Sequence, residues 1–273
     1  MTGMVDTTPL VCSSYTLGTE VGFTDRVGAA ATAGFNGIGL RAENYWDAGL
    51  DDAEMLAIAE EQGVPILEVE YLTAWGTPAD RDEDQQKKEQ TVFHMARAFG
   101  VRFLNAGLLE KLPLDVMTEA FAALCERAGP DLTVALEFMP YSGVPDLATA
   151  WHIVREVPNG GLIIDNWHWA RAGQKAADLD GVPAERILSV QLCDVRAEPM
   201  EPLRAESLGY RLPPGQGYGD TVGLVRALHA HGVDPAVMAV EVISDELVAR
   251  GVDVAAQVNA DAAREVLASA GTA

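Results

Sequence analysis

The stretch 132–165 reads LTVALEFMPYSGVPDLATAWHIVREVPNGGLIID and holds three elements in a row. LTVALEF is a short apolar run with β-branched residues, VPDLATAWHIVREV places apolar side chains at helical spacing, and GLIID is a second apolar run closed by a charge. Two strands separated by a helix, with no tight hairpin between them, imply a parallel pair joined by a crossover. Working outward, the same alternation continues both ways. On the N-terminal side PLVCSSY, FNGIGLR, VPILEVEYL and VRFLNAG each precede a helical run: FTDRVGAAATAG, 51–62, DEDQQKKEQTVFHMARAFG and LPLDVMTEAFAALCERAG. On the C-terminal side GLIID precedes a short helix near 176–179, RILSVQL a helix across 221–231, and VMAVEVIS a closing helix from 245 to about 268. Helices tend to stop at glycine, as in AGFNG, QGVPI, FGVRF and HGVDP. Eight such units close most simply into an α/β (β/α)8 TIM barrel. An open doubly wound sheet lacks its usual G-x-G-x-x-G after an early strand. No Gly/Ser-rich linker interrupts the chain, so one domain over 1–273 is expected.

Composition narrows the partners. The formal charge of −22, from 19 basic and 41 acidic residues, repels phosphate backbones and anionic lipid, so neither nucleic acid nor membrane is expected as a partner. Cys12, Cys125 and Cys193 are scattered with no C-x-x-C, which argues against a disulfide framework or a thiolate zinc site. MTGMVDTTPLVCSSYTLG has no basic segment followed by a long apolar run, and no stretch approaches a bilayer span. A soluble protein of a reducing, cytoplasmic compartment is the expectation.

In a barrel, chemistry collects at the C-terminal ends of the strands. Period two in LTVALEF puts Ala135 and Glu137 on one face and Val134, Leu136 and Phe138 on the other. GLIID aligns Ile163 with Asp165, RILSVQL aligns Ser189 with Gln191 and leaves Leu188, Val190 and Leu192 outside, and VMAVEV aligns Ala239 with Glu241. Four consecutive strands thus present Glu137, Asp165, Gln191 and Glu241 at one mouth. Three carboxylates so placed raise one another's pKa unless a positive charge lies between them. A divalent cation meets that need, and oxygen donors suit Mn²⁺ first, with Mg²⁺, Co²⁺ or Zn²⁺ as alternatives. His168, in the loop after Asp165, and Trp169 beside it are candidate substrate contacts, as are Arg41, Glu70, Asn105 and Arg211. Arg211 lies in YRLPPGQGYGD, a loop able to fold over the site, and Arg41 and Glu68 are an alternative ion pair. His94, His152, His229 and His231 fall within helical patterns and read as structural.

VALEFMPYSGVPDLATAW, GLIIDNWHWARAG, RILSVQLCD, RLPPGQGYGD and VMAVEVIS together resemble the sugar phosphate isomerase/epimerase proteins of the xylose isomerase-like TIM barrel superfamily. The likeness is strongest over about 134–245. It implies a divalent metal held by Glu137, Asp165, Gln191 and Glu241, with His168 and Arg211 on the substrate. The family's ketose epimerases usually carry His where Gln191 stands, and the lid commonly reads G-E-G where this chain has Gln216.

The expected chemistry is abstraction of a proton next to a carbonyl, through a metal-stabilised enediolate, with Glu137 and Glu241 as the acid–base pair. An isomerase or epimerase of a sugar, ketose or cyclic polyol is the first expectation. A lyase of the inosose or 3-dehydroshikimate dehydratase type is the alternative. A metal-dependent endonuclease would need a basic groove that the few lysines do not supply, and a non-catalytic sugar-binding barrel comes last. Apolar outer-helix faces such as AFAALC point to homo-oligomerisation.

Overall fold

In the computed structural model, which describes residues 8–77 and 81–271, eight parallel strands form a closed barrel in sequential order. Residues 1–7, where a leader was sought, lie outside the described residues. The strands are β1 (Leu10–Cys12), β2 (Gly37–Arg41), β3 (Ile66–Leu72), β4 (Phe103–Ala106), β5 (Thr133–Glu137), β6 (Gly160–Asp165), β7 (Ile187–Leu192) and β8 (Val237–Val240). The helices around them are α1 (Phe23–Ala33), α2 (Ala42–Asp47), α3 (Asp52–Gln62), α4 (Glu83–Ala98), α5 (Leu114–Ala128), α6 (Leu147–Val154), α7 (Asn166–Arg171), α8 (Leu203–Ser207), α9 (Thr221–His231), α10 (Asp245–Ala249) and α11 (Val252–Ala270). Glycine ends the helices as expected: Gly34, at φ 76°, closes the last turn of α1 in a conformation that costs a glycine little.

Two apolar layers hold the barrel. Outward strand residues such as Val134, Leu136 and Val190 join the helices in the large core, whereas Val11, Phe103, Ala135, Ile163, Val237 and Ala239 fill the barrel interior. Ala135, Ile163 and Ala239 each lie two residues before a carboxylate, so the alternation that buries them also carries Glu137, Asp165 and Glu241 to the mouth. Asp165 pairs directly with Gln191, while Glu137 pairs with Ile163 and Gln191 with Ala239, the stagger that tilted barrel strands require.

Four sequence expectations change. His168 lies in the short helix α7, not in a loop, because Asp165 caps that helix directly at the end of β6. The closing helix is broken at Gly251, φ 101°, into α10 and α11. Leu188 packs on the inner cluster, because the β6–β7 pairing slips between Leu162 and Ile163, and Gly161 opposite leaves the space. In AFAALC, Phe121, Leu124 and Cys125 are buried, Ala120 is half-buried and Ala122 and Ala123 are exposed, so the large side chains of this segment belong to the core. All three cysteines are buried and unpaired. No helix among the described residues is long and apolar enough to cross a membrane.

Candidate active site at the barrel mouth

Asp165 joins strand to site. Its Oδ1 accepts the His168 N–H at 2.9 Å, capping α7, while its Oδ2 accepts Arg211 Nη1 at 2.8 Å. Arg211 Nη1 also reaches Glu241 Oε2 at 3.0 Å, and Ser207 fixes the rest of the guanidinium through its carbonyl at 2.9 Å and its hydroxyl at 3.1 Å. Glu137 Oε2 accepts the Tyr71 hydroxyl at 2.6 Å, and its Oε1 lies 3.3 Å from His168 Nε2. Ligand atoms of Glu137, Asp165 and His168 all fall within 4.8 Å of one another. Burial raises the Glu241 carboxyl well above the usual glutamate range; Arg211 opposes this, and the charges of Glu137 and Asp165 add to it.

Arg211 alters the argument for a metal. The crowded carboxylates already have one built-in counter-charge, a fully buried guanidinium bridging Asp165 and Glu241. Charge crowding alone therefore does not demand a cation. The donor chemistry still fits one: Glu137 Oε1 and Gln191 Oε1 are buried acceptors with no hydrogen-bond partner among the described residues. Carboxylate, carboxamide and imidazole donors at such spacing suit Mn²⁺, Mg²⁺, Co²⁺ or Zn²⁺.

Of the residues expected here, Arg41, Glu137, His168, Arg211 and Glu241 line one cavity of about 180 Å³ at the mouth. Asp165 and Gln191 are buried and do not line it; Asp165 joins the cluster through Arg211. Glu70 and Asn105 are also buried and do not line it. Glu70 accepts the Ser14 N–H at 3.1 Å and lies 3.8 Å from Arg41, which therefore pairs with Glu70 and not with Glu68. Glu68 is sealed inside the barrel on Ser13 and Ser189, at 3.0 and 3.3 Å, and burial together with the charge of Glu70 pushes its carboxyl up to about 8. Trp169 is not at the mouth. It follows His168 by one residue, about 100° further around α7, and lines a separate depression of about 310 Å³ with Tyr218 and Asp220.

Tyr15, Tyr71 and Tyr141 also line the cavity and were not anticipated. With Glu68 and Glu70 inward, alternation sends Tyr71 outward, but the β3–β4 pairing slips between Val69 and Leu72 and Tyr71 meets Glu137. Tyr141 comes from the loop after β5, where no periodicity operates, and its ring lies 5.7 Å from that of His168. The long segment after β7 is tied down: Asp194 pairs with Leu212 through both main-chain groups and accepts from Gly219 N and Thr221 Oγ1. Gln216 at its tip is exposed. Arg171 is held by Glu206 and the Arg196 carbonyl, away from the cavity.

A closed parallel barrel with an acidic, histidine-bearing mouth is the framework of a large class of barrel enzymes. The profile of the xylose isomerase-like TIM barrel family matches residues 27–269, and the chain belongs to that family. Among solved structures, the IOLI protein with a bound zinc atom superposes with a TM-score of 0.83 at 19% identity, over 95% of this chain and 98% of that one. The D-allulose 3-epimerase of a Methylomonas species, in complex with D-allulose, gives 0.68 at 16% identity over 96% and 99%. The probable 3-DHS dehydratase AsbF of Bacillus anthracis, involved in petrobactin synthesis, gives 0.69 at 15% over 92% and 97%. The chain spans 42% of a xylose isomerase-like TIM barrel/4-hydroxyphenylpyruvate dioxygenase fusion protein, with a TM-score of 0.83 at 19% identity. At these identities the likeness establishes the fold. Among curated proteins, none matches in sequence.

Proposed function

We propose that the protein is a metal-dependent isomerase or epimerase of a sugar, ketose or cyclic polyol, and that it abstracts a proton next to a carbonyl. The observation that carries this reading is the approach of Glu137 and Glu241 to one small cavity beside His168 and Arg211. Glu137, Asp165, Gln191 and Glu241 would hold the metal, with His168 close enough to Glu137 and Asp165 to join them. When bound, such an ion supplies Lewis-acid stabilisation of charge on the substrate oxygens.

The chain's own groups do the rest. Glu137, kept polarised by the Tyr71 hydroxyl, takes the proton from the substrate carbon, and Glu241 returns one from the other side. His168 Nε2, 3.4 Å from Arg211 Nη2, and the guanidinium itself face the oxygens that gain charge in the enediolate. Return of the proton to the same carbon on the opposite face gives epimerisation, and to the neighbouring carbon isomerisation.

The second reading, a lyase of the inosose or 3-dehydroshikimate dehydratase type, is favoured by Tyr71. It is a proton donor at the mouth, 2.6 Å from the proposed base, placed to protonate a departing β-hydroxyl. The test is proton NMR in D₂O over a panel of ketoses, inososes and cyclic hydroxyketones, with elemental analysis of the purified protein. Deuterium entering a carbon next to the carbonyl supports the isomerase reading; loss of water with a new enone absorbance supports the lyase. Glu137→Gln and Glu241→Gln should each lower the rate by roughly 10²–10⁴-fold, the usual worth of a general acid or base. Full activity in either variant removes that residue from the chemistry.

A further inference from the structure

We propose that the substrate carries an anionic group, a carboxylate or a phosphate, held at the rim of the mouth cavity by Arg41 and Arg204. The inference rests on the reading of this cavity as the catalytic site. The chain has 41 acidic against 19 basic residues, yet three arginines, Arg41, Arg204 and Arg211, line a cavity of about 180 Å³. Arg211 is committed to Asp165 and Glu241. The other two are not matched in this way.

Arg41 is nine-tenths buried, with its side chain 10% exposed, and no hydrogen bond from a described residue reaches its guanidinium. Glu43 and Glu70 approach only to 3.6 and 3.8 Å, beyond hydrogen-bond range, and Glu43 is shared with Lys88 at 2.5 Å. The plane is held instead by the Tyr15 ring, 4.0 Å away. A buried guanidinium with its donors unmet, fixed by stacking and facing a cavity, is built to receive an acceptor from that cavity. Arg204, on α8 at the rim, is exposed and has no ion pair among the described residues, so it adds a positive charge to the cavity of a chain whose net charge is −22. Sugar hydroxyls alone would satisfy donors at Arg41 but leave the charge of Arg204 unanswered. An oxyanion answers both, through charge-assisted hydrogen bonds in a partly desolvated pocket.

The test is calorimetric titration of the wild-type protein with two matched pairs of probes, quinate against its methyl ester and glucitol 6-phosphate against glucitol. In at least one pair the acidic member should bind about tenfold tighter than the neutral one, the worth of a charge-assisted hydrogen bond. A preference confined to the first pair assigns a carboxylate, and one confined to the second a phosphate. Arg204→Gln should erase the preference, the acidic member losing more affinity than the neutral one, and Arg41→Gln should weaken the acidic member further. Equal affinities within both pairs, a preference that survives Arg204→Gln, or no binding by any of the four overturns the proposal. The catalytic reading fails separately. Deuterium exchange into neutral hydroxyketones without any acid preference leaves catalysis standing and removes the anion site, whereas acid-selective binding with no exchange in any ketone does the reverse.

Discussion

Asp165 shows at the scale of one residue why an apolar strand ends on a charge: one oxygen caps α7 and the other meets Arg211. Arg211 in turn holds two buried carboxylates, Asp165 and Glu241, neither of which has another cationic partner among the described residues. Arg211→Met should therefore destabilise the metal-free protein by about 3–5 kcal/mol, the cost of leaving buried charge unpaired. Urea denaturation with and without Mn²⁺ checks this: if the carboxylates bind the ion, Mn²⁺ should restore more stability to the variant than to the wild type. Glu68 gives a pH signature. Its folded pKa, about 8, lies above its value in the unfolded chain, so folding takes up a proton there. That contribution is fully present below the ordinary glutamate range and is lost as pH rises through about 8. Thermal denaturation between about pH 5 and 9 should show the melting temperature falling with pH, and Glu68→Gln, which carries no titrating proton, should flatten the slope. The places of Glu137, Asp165, Gln191 and Glu241 at the C-terminal ends of their strands were legible one by one, because the inward residue two before each is small or apolar. The arginine that joins two of them was legible as a substrate contact on a loop, but its pairing with them was not, since those partners lie 30 and 46 positions away.

At the scale of elements, regular strands were readable and their irregularities were not. Period two predicts the inward faces of β5, β6 and β8, and the barrel interior contains the residues it names. It fails at Tyr71 and Leu188, both beside a slip in pairing, because a slip reverses the side-chain face without leaving a mark in local composition. The segment between β7 and α9 behaves differently from a free lid. Gly217 packs so closely that an added Cβ would fall 2.3 Å from the Val195 carbonyl and 2.7 Å from Asp194 Oδ1. Gly217→Ala should push this segment off Asp194, raising its cleavage by protease and lowering kcat/KM, while the melting temperature of the barrel changes little. Limited proteolysis followed by mass analysis would locate the cut, and cleavage unchanged from wild type would mean that the segment is held elsewhere.

For the whole molecule the charge matters more than any single ion pair. With 41 acidic and 19 basic residues, like-charge repulsion across the surface outweighs the few exposed ion pairs, each worth at most about 1 kcal/mol. Raising NaCl from about 0.1 M to about 1 M shortens the Debye length from about 10 Å to about 3 Å. The melting temperature followed by circular dichroism should rise over that range; a fall would mean that attractive pairs dominate. Barrel closure itself was readable, because eight parallel strands linked by crossover helices have few other ways to bury both faces. So was the acidic mouth, because strand alternation and strand ends are local properties of the chain. What only the tertiary structure decided is which charges meet. Arg211 on Asp165 and Glu241, Tyr71 on Glu137, and Arg41 stacked on Tyr15 are all pairings between separate loops and strands. Such pairings depend on barrel stagger, on slips of register and on the path of long connections, and these are set when the whole sheet closes and not by any one stretch of sequence.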